Sequence, residues 1–460
     1  MADFEADFGA REEEVTLDDA RIGAIRLAVE AGDRQRIADL LEPLHAADVA
    51  DLLEQVDPDE RRALLVLWSG EIDGDVLSEI DESIREEVIE SLPPEVVAEA
   101  VRDLDTDDVV DILEDLEGPA QGKILDALTL IDRVAVEQAL SYPENSAGRL
   151  MQREVVVAPG HWTVGETIDH LRKADGLPDQ FYHVILVDPR MKPMGYVTLG
   201  RILSAPRNVR LADITEDSFR TVEATEEESE VAYIFNQYHL ISCPVVDATG
   251  RLVGVITIDD AMNVLDEEHE EDMLRLAGVG EEASVLDGPV ETVRQRLPWL
   301  VVNLFTASLS AMVISQFEAT ITAIVTLAAL MPIVASTGGI AGTQSLAVAV
   351  RALATRDLTS SNARRVVLRE LSAGVLNGLA LATILGVAGA LIFGDLWLGL
   401  VLAIAMVVNQ VVAALGGVLV PLTLERMGLD PALASGTFVT TLTDVMGFLA
   451  FLGLATLVLI

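Results

Sequence analysis

The sequence predicts a multidomain membrane protein: an α-helical superhelix, an α/β repeat, a connecting helix and a transmembrane domain of five α-helices. Two observations support this fold class. The first 290 of the 460 residues carry 67 acidic and 23 basic side chains, whereas the remainder has no net charge. The apolar runs of about 20 residues that a bilayer-spanning helix needs all lie in that remainder. The chain therefore joins an acidic aqueous part to a neutral membrane part.

The net charge of −44 restricts the partners of the aqueous part. Proteins that bind nucleic acid use Lys and Arg to neutralise phosphates, and this chain has three lysines in all. We therefore expect cations, and no nucleic acid, as partners. A salt-loving or GC-rich organism would also explain the overall charge, but it would not explain acids at motif positions.

Residues 15–140 are predicted to form an acidic superhelix of short helices. Apolar positions recur at helical spacing, and the pattern Asp48–Glu54 returns sixty residues later as Asp108–Glu114. Prolines such as Pro58 and Pro119 mark the joints between helices. Most acidic side chains of this domain are expected on solvated helix faces.

An internal repeat with a constant offset of 59 residues lies between residues 150 and 265. Each copy has an Asp, a Gly seven residues later and a Thr three residues after the Gly. These positions are Asp188, Gly195 and Thr198 in the first copy and Asp247, Gly254 and Thr257 in the second. Runs of β-branched residues surround them, so each copy is predicted to contain a strand, a turn, a second strand and the start of a helix.

This repeat resembles a tandem pair of CBS domains, which we place at residues 141–207 and 208–265. The resemblance implies that adenine nucleotides bind through a Thr and an Asp at the start of the helix that follows the second strand. Thr257 and Asp260 match these positions, so they are candidate nucleotide contacts and ATP is a candidate ligand. In the first copy, Arg201 stands where the Asp would be.

Residues 266–296 are predicted to form a connecting helix. The segment Asp266–Asp272 is charged at almost every position, and runs of like charge are usually solvated or disordered. The segment joins the α/β repeat to the first membrane span, where a flexible link would transmit no signal. This position favours a helix.

Five apolar segments are long enough to cross a membrane. They are Leu297–Phe317, Ala319–Val350, Leu371–Gly394, Leu396–Leu424 and Pro431–Ile460, which together form a transmembrane domain at residues 297–460. In the second segment, Pro332 and the pair Gly338-Gly339 predict a broken or kinked helix. Such breaks are tolerated where the backbone faces protein or a water-filled path.

Arginines in the links between spans predict the orientation of a multi-pass protein in the cell membrane. The link between the second and third spans carries five of them, from Arg351 to Arg369, and Arg426 lies between the fourth and fifth. Basic links remain on the cytoplasmic side. We therefore expect a cytoplasmic N-terminus and an extracytoplasmic C-terminus.

Asp444 is the single ionisable side chain within the predicted spans. A carboxylate is costly in lipid, so ionisable residues in spans normally face an aqueous or ion-filled interior. Thr437 and Thr440 share its helix face. The alternative is a protonated Asp that is hydrogen-bonded to a neighbouring helix. We interpret Asp444 as a cation site, and one carboxylate among an odd number of spans suggests a pore on a dimer axis.

The ligand types in the membrane part favour a hard cation. It contains no Cys and no His, the ligands that soft and borderline metals prefer. Carboxylate, hydroxyl and backbone oxygens suit Mg²⁺, which commonly keeps several waters and contacts one or two carboxylates. Ca²⁺ and Mn²⁺ fit the same chemistry.

Nearly the whole chain resembles the MgtE family of magnesium transporters. The segments that carry the resemblance are Tyr142–Met151, Thr337–Ser345, Arg351–Asp357, the run from Asp430 to Leu433, and Thr443-Asp444. The resemblance implies a homodimer with one central pore, Asp444 as its Mg²⁺-coordinating carboxylate, and closure of the pore when cytosolic Mg²⁺ is high.

The resemblance also implies which acids sense cytosolic Mg²⁺. They are Asp107 and Asp111 in the N-terminal domain, Asp260 in the second CBS domain, and Glu268, Glu271 and Asp272 in the connecting helix. Three positions depart from the family. Ile340 follows the glycine pair where Asn is usual, Asn263 stands where a sensor Asp can occur, and Gly436 stands where some members have Asn.

Two other function classes are alternatives to a magnesium transporter. A nucleotide-regulated membrane transporter of another divalent cation, such as Mn²⁺, Co²⁺ or Ca²⁺, is the alternative that Thr257 and Asp260 support. An enzyme is the least supported class. The sequence has no phosphate-binding Gly-Lys-Ser/Thr loop, no His-Glu-x-x-His motif and no Gly-x-Ser-x-Gly motif.

Overall fold

The structure is a computed structural model of the full chain. It describes residues 17–68, 72–102, 104–114, 116, 118–174, 177–178, 180–280, 283–432 and 435–460, so the predicted domain start at residue 15 lies outside the described residues. The chain divides into two compact units, Met1–Glu268 and His269–Ile460.

The N-terminal part of the first unit is a series of short helices. In the described part of the chain these are α1 (Asp19–Ala31), α2 (Arg34–Leu41), α3 (Ala46–Gln55), α4 (Pro58–Trp68), α5 (Gly74–Ser78), α6 (Glu82–Ser91), α7 (Pro94–Ala100), α8 (Thr106–Glu114), α9 (Pro119–Ala127) and α10 (Leu130–Ala139). Most of these helices pack against the next helix but one in the sequence, as α3 does against α5 and α8 against α10. Leu52, Leu64 and Ile112 are fully buried in the resulting core. The predicted helical superhelix is confirmed.

Several acids of this domain have a local structural role. Asp18, Asp33 and Asp81 are N-cap residues whose carboxylates accept backbone N–H groups of the helices they precede. These caps satisfy donors that have no partner inside the helix, and the negative charge lies at the positive end of the helix dipole. Part of the acidity of this domain is thus explained by many short helices.

The two copies of the repeat fold alike. The first contains β1 (Val157–Pro159), α11 (Val164–Leu171), β2 (His183–Val187), β3 (Pro193–Thr198) and α12 (Leu199–Ser204); the second contains β4 (Val222–Glu223), α13 (Glu228–Tyr238), β5 (Ser242–Val246) and β6 (Leu252–Thr257). Each sheet pairs its first two strands in parallel and its last two antiparallel. His183 pairs with Thr198, and Ser242 pairs with Thr257 in the other sheet, at the offset of 59 residues.

The repeated Asp residues form the turns of the two hairpins. The carboxylate of Asp188 accepts the N–H groups of Arg190 and Lys192, and that of Asp247 accepts those of Thr249 and Arg251. These bonds replace strand-to-strand bonds where the chain reverses. The repeated Asp is therefore a turn residue in both copies.

The connecting helix has different limits from those predicted. Helix α14 spans Ile258–Ala277, and the next helix begins at Pro289, so residues 266–296 do not form one helix. Gly278 ends α14 in the left-handed conformation, with φ of 73°. Its N–H bonds to the carbonyl of Arg275, and that of Val279 bonds to the carbonyl of Leu274, as is common at helix C-termini.

The described residues include five helices long and apolar enough to span a membrane, as predicted. They are α15 (Pro289–Ser315), α17 (Thr326–Ala354), α18 (Ala363–Phe393), α19 (Leu396–Arg426) and α20 (Ser435–Leu459), and the short helix α16 (Glu318–Ala323) precedes α17. Of the predicted broken or kinked helix, a break does not occur at Pro332 or at Gly338-Gly339. The interruption lies at Ile324-Val325, and α17 remains one helix through the proline and the glycines.

Helix α19 is the centre of the transmembrane unit, because α17, α18 and α20 all pack against it. Glycines of α18 allow the closest approach. A Cβ on Gly374 would lie 2.7 Å from the Cβ of Ala414, and one on Gly378 would lie 3.1 Å from the Cα of Val407. The Gly374-x-x-x-Gly378 motif therefore serves helix packing within one chain, as expected for small residues at such contacts.

Candidate metal sites

An open pocket of about 750 Å³ lies between α17 and α20. Asp444 and Thr440 of α20 line one side, one helical turn apart. The lining residues of α17 are Pro332, Ala335, Ser336, Gly339, Ile340, Thr343, Gln344 and Ala347. The carboxylate of Asp444 thus shares the pocket with three polar residues of α17: the hydroxyl residues Ser336 and Thr343 and the amide residue Gln344.

The Asp444 carboxylate has no hydrogen-bond partner among the described residues. The alternative, a protonated Asp bonded to a neighbouring helix, therefore lacks a partner in the described part of the chain. An unpaired carboxylate is costly away from water. Its position in the pocket favours solvent or a cation as its partner.

The threonines around Asp444 present oxygen lone pairs to the pocket. The hydroxyl of Thr440 donates to the carbonyl of Gly436 at 2.9 Å, and that of Thr343 donates to the carbonyl of Gly339 at 3.0 Å. Each hydroxyl proton is thus used within its own helix, which leaves acceptor lone pairs for a cation or for its water shell. Thr437, which the sequence placed on the same face, is not part of the pocket lining.

Two of the departures from the family lie at or near this pocket. Ile340 exposes an apolar side chain on the pocket wall where an amide is usual. Gly436 lies under the end of α14: a Cβ there would be 3.1 Å from the carbonyl oxygen of Leu276. A larger residue at position 436 would have to displace this contact.

A second candidate site lies in the first unit, where Asp107 of α8 meets Asp260 of α14. Asp107 is buried, and its carboxylate accepts the N–H of Asp108 at 3.1 Å. Asp260 accepts the hydroxyl proton of Thr257 at 2.7 Å. Burial, followed by the charge of Asp260, raises the pKa of Asp107 well above its ordinary value. Burial also raises the pKa of Asp260 to about 6, against the opposing effect of the Thr257 hydrogen bond.

Polar contacts hold the N-terminal turn of α8 against the α/β repeat. The hydroxyl of Thr106 donates to Glu154 at 2.8 Å, and the amide of Gln152 donates to Asp105 at 3.1 Å. These contacts bring Asp107 to Asp260 and bury both. The close approach of like charges therefore results from the docking of two domains within one compact unit.

The other predicted N-terminal sensor residue lies apart from this pair. Asp111 is half exposed and pairs with Arg85, with 2.9 Å between its carboxylate oxygen and the guanidinium. Its charge still contributes to the pKa of Asp108, which burial and then Asp260 raise to about 7. Asp108 was not among the predicted site residues.

Two predicted acids of the connecting segment, Glu271 and Asp272, lie in a charged network in the second unit. Arg275 bridges Glu271 at 2.8 Å and Asp430 at 2.7 Å. Burial, followed by the charge of Asp430, raises the pKa of Asp272. Glu268 lies four residues before Asp272 on α14. Asp430 lies in the link between α19 and α20, so these acids meet the segment that leads into the helix of Asp444.

Among the described residues, no group of three or more His, Cys, Asp or Glu side chains is arranged to hold a metal by itself. Mg²⁺ commonly retains several of its waters and contacts one or two carboxylates. The predicted carboxylates that the structure places next to another carboxylate are Asp107, Asp260 and Asp272, and Asp444 lies in the pocket.

The sequence missed Asp105, Asp108 and Asp430 as neighbours of these sites. The run Asp105-Thr106-Asp107-Asp108 at a helix start was a visible signal, but it reads equally well as a solvated face. Asp430 belongs to a segment that resembles the family, but nothing in that segment indicates its partner. Its pairing with Arg275 spans 155 residues of sequence, and no local pattern predicts it.

The raised carboxyl pKa values predict that the metal-free protein loses stability as the pH rises. Asp108 and Asp260 have pKa values of about 7 and about 6 when folded, against roughly 3.9 in an unfolded chain. The folded state binds more protons between these values, so the stabilisation is complete below about pH 4 and lost by about pH 7. We expect the melting temperature, measured by fluorimetry without Mg²⁺, to fall across this window.

Asp108→Asn should raise the melting temperature near about pH 7.5, because it removes a buried charge next to other carboxylates. The acids that act on Asp108 are Asp75, Asp105, Asp111 and Asp260. Asp111→Asn is the matched control and should not stabilise the protein, because it breaks the ion pair with Arg85. A lower melting temperature for Asp108→Asn would contradict this assignment.

The sequence matches known families in an order that follows the observed domains. Residues 44–145 match the MgtE intracellular N domain, residues 147–208 and 211–267 match the CBS domain, and residues 331–454 match MgtE, described as a divalent cation transporter.

Two relatives match nearly the whole chain. The magnesium transporter MgtE of Thermus thermophilus is 34% identical over 441 residues, which cover 95% of this chain and 98% of the relative. The magnesium transporter MgtE of Bacillus subtilis is 26% identical over 424 residues, which cover 92% of this chain and 93% of the relative.

Among solved structures, the cytosolic domain of the Mg²⁺ channel MgtE in complex with ATP is 30% identical; the match has a TM-score of 0.49 and covers 53% of this chain and 99% of that one. The identity to the Thermus thermophilus protein across almost the entire length decides the classification. The chain belongs to the MgtE family of magnesium transporters.

Proposed function

We propose that this chain transports Mg²⁺ across the cell membrane along a path that contains Asp444. The observation that carries the proposal is the carboxylate of Asp444, which has no hydrogen-bond partner in the described part of the chain and lies in a pocket with hydroxyl and amide oxygens. The magnesium transporters to which the chain is similar support the choice of ion. Mg²⁺ would pass with part of its hydration shell, because one carboxylate and a few neutral oxygens cannot replace six waters.

A homodimer would complete this path. One chain supplies one carboxylate and an open pocket, and two copies related by a twofold axis would place two carboxylates around one ion. Divalent cations are commonly held by two carboxylates. The orientation that fits the arginine links has the N-terminal domains in the cytoplasm and the C-terminus outside.

We further propose that cytosolic Mg²⁺ closes the path through the acids of the aqueous part. Asp107 and Asp260 cannot both be ionised at close approach without a cost of about 4 kcal/mol at a separation of about 4 Å and an effective dielectric constant of about 20. Moving a gate from mostly open to mostly closed takes about 5.5 kcal/mol. Relief of the repulsion between Asp107 and Asp260 by bound Mg²⁺, together with a smaller contribution at Asp272, where Arg275 already pairs with Asp430, would supply free energy of this order.

The second candidate function is a nucleotide-regulated transporter of Mn²⁺, Co²⁺ or Ca²⁺. The hydroxyl of Thr257 donates to the carboxylate of Asp260 at 2.7 Å, so the two residues of the candidate nucleotide motif lie side by side. The cytosolic domain of a similar protein has been solved in complex with ATP. ATP is then a regulatory ligand in addition to Mg²⁺.

Uptake experiments separate the two candidates. The chain is expressed in cells that lack their own magnesium systems, and the purified protein is tested in liposomes with each divalent ion, with and without ATP. The proposal predicts that expression restores growth at low Mg²⁺ and that Mg²⁺ flux occurs without ATP. Flux of Mn²⁺, Co²⁺ or Ca²⁺ with no flux of Mg²⁺ would support the second candidate instead.

A further inference from the structure

Asn409 is a fully buried amide in the middle of α19, the helix at the centre of the transmembrane unit. Its Nδ2 donates to the carbonyl oxygen of Val334 on α17 at 2.8 Å. Its Oδ1 is buried and has no hydrogen-bond partner among the described residues. A buried polar atom without a partner costs free energy that an apolar residue would avoid. Helix packing alone therefore does not explain an amide at this position.

Two glycines on neighbouring helices leave the space that this amide occupies. A Cβ on Gly338 of α17 would lie 2.1 Å from the Nδ2 of Asn409, and a Cβ on Gly447 of α20 would lie 2.9 Å from the same atom. Separations below about 3 Å are too short for real carbon contacts. Gly338, Asn409 and Gly447 thus fit together as a unit at the junction of three helices.

This junction lies directly behind the Asp444 pocket. Gly338 precedes the lining residues Gly339 and Ile340, and Gly447 follows Asp444 by three residues, less than one helical turn. One side chain of α19 therefore contacts both helices that line the pocket. It bonds to the backbone of α17 and fills the gap to the backbone of α20.

We propose that Asn409 is a positioning residue for transport: its amide holds α17 and α20 at the separation that places the pocket oxygens around the ion at Asp444. The inference rests on the proposed function. Asn409 itself does not line the pocket, so it acts on the ion only through the two helices. Displacement of the groups that surround a bound ion by a fraction of an ångström weakens the binding strongly.

The first test measures Mg²⁺ flux of the full-length protein in liposomes. Asn409→Ala removes the spacer and its hydrogen bond to Val334. The Mg²⁺ concentration for half-maximal flux should rise about tenfold, the usual scale for loss of one buried hydrogen bond. Asn377→Ala is the matched control, because Asn377 is an exposed asparagine of the neighbouring helix α18. Equal half-saturation in wild type, Asn409→Ala and Asn377→Ala would overturn the proposal.

A paired substitution separates positioning from a failure to fold. Gly338→Ala alone places a methyl group on the Asn409 amide and should abolish flux. In Gly338→Ala/Asn409→Ala the smaller side chain makes room for that methyl group, so flux should return to the level of Asn409→Ala. A double variant that is no better than Gly338→Ala would contradict the fit of the amide between the glycines. Monodisperse elution is required of every variant that is compared.

A cross-linking measurement tests the positioning role of Asn409 even if the protein does not transport Mg²⁺. A Cβ on Gly339 would lie 3.7 Å from the Cγ2 of Thr440, and no other Thr440 atom would be within 4 Å. The Cγ2 position is close enough for a cysteine sulfur at 440 to reach a cysteine at 339, so these two cysteines, in a Cys243→Ser background, should form a disulfide on oxidation. Asn409→Ala should slow this reaction several-fold. If Asn409→Ala slows cross-linking but the wild-type protein shows no Mg²⁺ flux, the positioning role stands and the transport function is rejected. If Asn409→Ala leaves the cross-linking rate unchanged, the positioning role is rejected.

Discussion

Asp444→Ala is expected to reduce Mg²⁺ uptake by at least about a hundredfold, equivalent to roughly 2.7 kcal/mol of lost interaction with the ion. Among the described residues that line the pocket between α17 and α20, Asp444 is the one that carries a charge. Without it, the path offers the ion hydroxyl and amide dipoles in place of the water that it gives up. Uptake is measured in cells that lack their own magnesium systems, with the amount of protein in the membrane determined in parallel.

Two further substitutions make this result specific to the charge. Asp444→Asn preserves the size of the side chain and should also lose uptake, because the neutral amide cannot replace the carboxylate. Asp395→Ala is the matched control: Asp395 is an exposed N-cap of α19, so its loss should cost roughly 1 kcal/mol of stability without affecting the ion. Full uptake by Asp444→Ala would refute the pore assignment.

Asp107→Asn/Asp260→Asn should make transport largely insensitive to cytosolic Mg²⁺. The two carboxylates meet in a buried position. In the proposed mechanism their repulsion opposes closure, and a bound cation removes this repulsion. Asn binds Mg²⁺ poorly, so the Mg²⁺ concentration that halves the flux should rise about tenfold or more, in line with the usual effect of losing supporting ligand contacts. Because the substitution also removes repulsion, the informative quantity is this concentration and not the basal flux.

The same change of charge at exposed positions is the control for the sensor. Asp51→Asn/Asp59→Asn alters two exposed acids of α3 and α4 and should leave closure by Mg²⁺ unchanged. The flux is recorded in liposomes with Mg²⁺ added on the side of the N-terminal domains. If the Asp107/Asp260 variant closes at the same Mg²⁺ concentration as the wild type, these acids do not sense the ion.

The sequence predicted those features of the fold that are encoded locally or by repetition. Constant offsets between Asp, Gly and Thr predicted two similar α/β units, and the structure shows equivalent residues paired at that offset, with the ring of His183 contacting the hydroxyl of Ser242 across 59 residues. Apolar length predicted the five spanning helices. Both signals reside in short stretches of chain, so no long-range contact was needed to recognise them.

The features that the sequence missed depend on contacts between distant segments. Pro332 and Gly338 are weak helix residues by local preference, yet α17 stays continuous because the amide of Asn409 and the close approach of α19 and α20 stabilise it there. The interruption lies earlier, where α16 ends at Ala323 and α17 begins at Thr326. The local helix preferences of the residues therefore predicted that this segment is interrupted, but they did not predict where.

The sites show the same limit. Asp444 was found because a carboxylate in an apolar run is conspicuous. Asp108 was taken for a solvated residue, because its burial results from the docking of α8 on the α/β repeat. Arg275, which holds both Glu271 and Asp430, had no signal in the sequence. Neighbours of a site that arrive from another domain become visible only in the folded chain.

The central claim is that a divalent ion, and not a neighbouring side chain, is the partner of the Asp444 carboxylate. An experimental structure of the full-length protein with Mn²⁺ as an anomalously scattering substitute for Mg²⁺ tests it most directly. We predict an ion at this carboxylate, either in direct contact at about 2.1 Å or through one bound water, with the pockets of two chains around it. A carboxylate that faces lipid or hydrogen-bonds to another helix, with no ion beside it, would contradict the account.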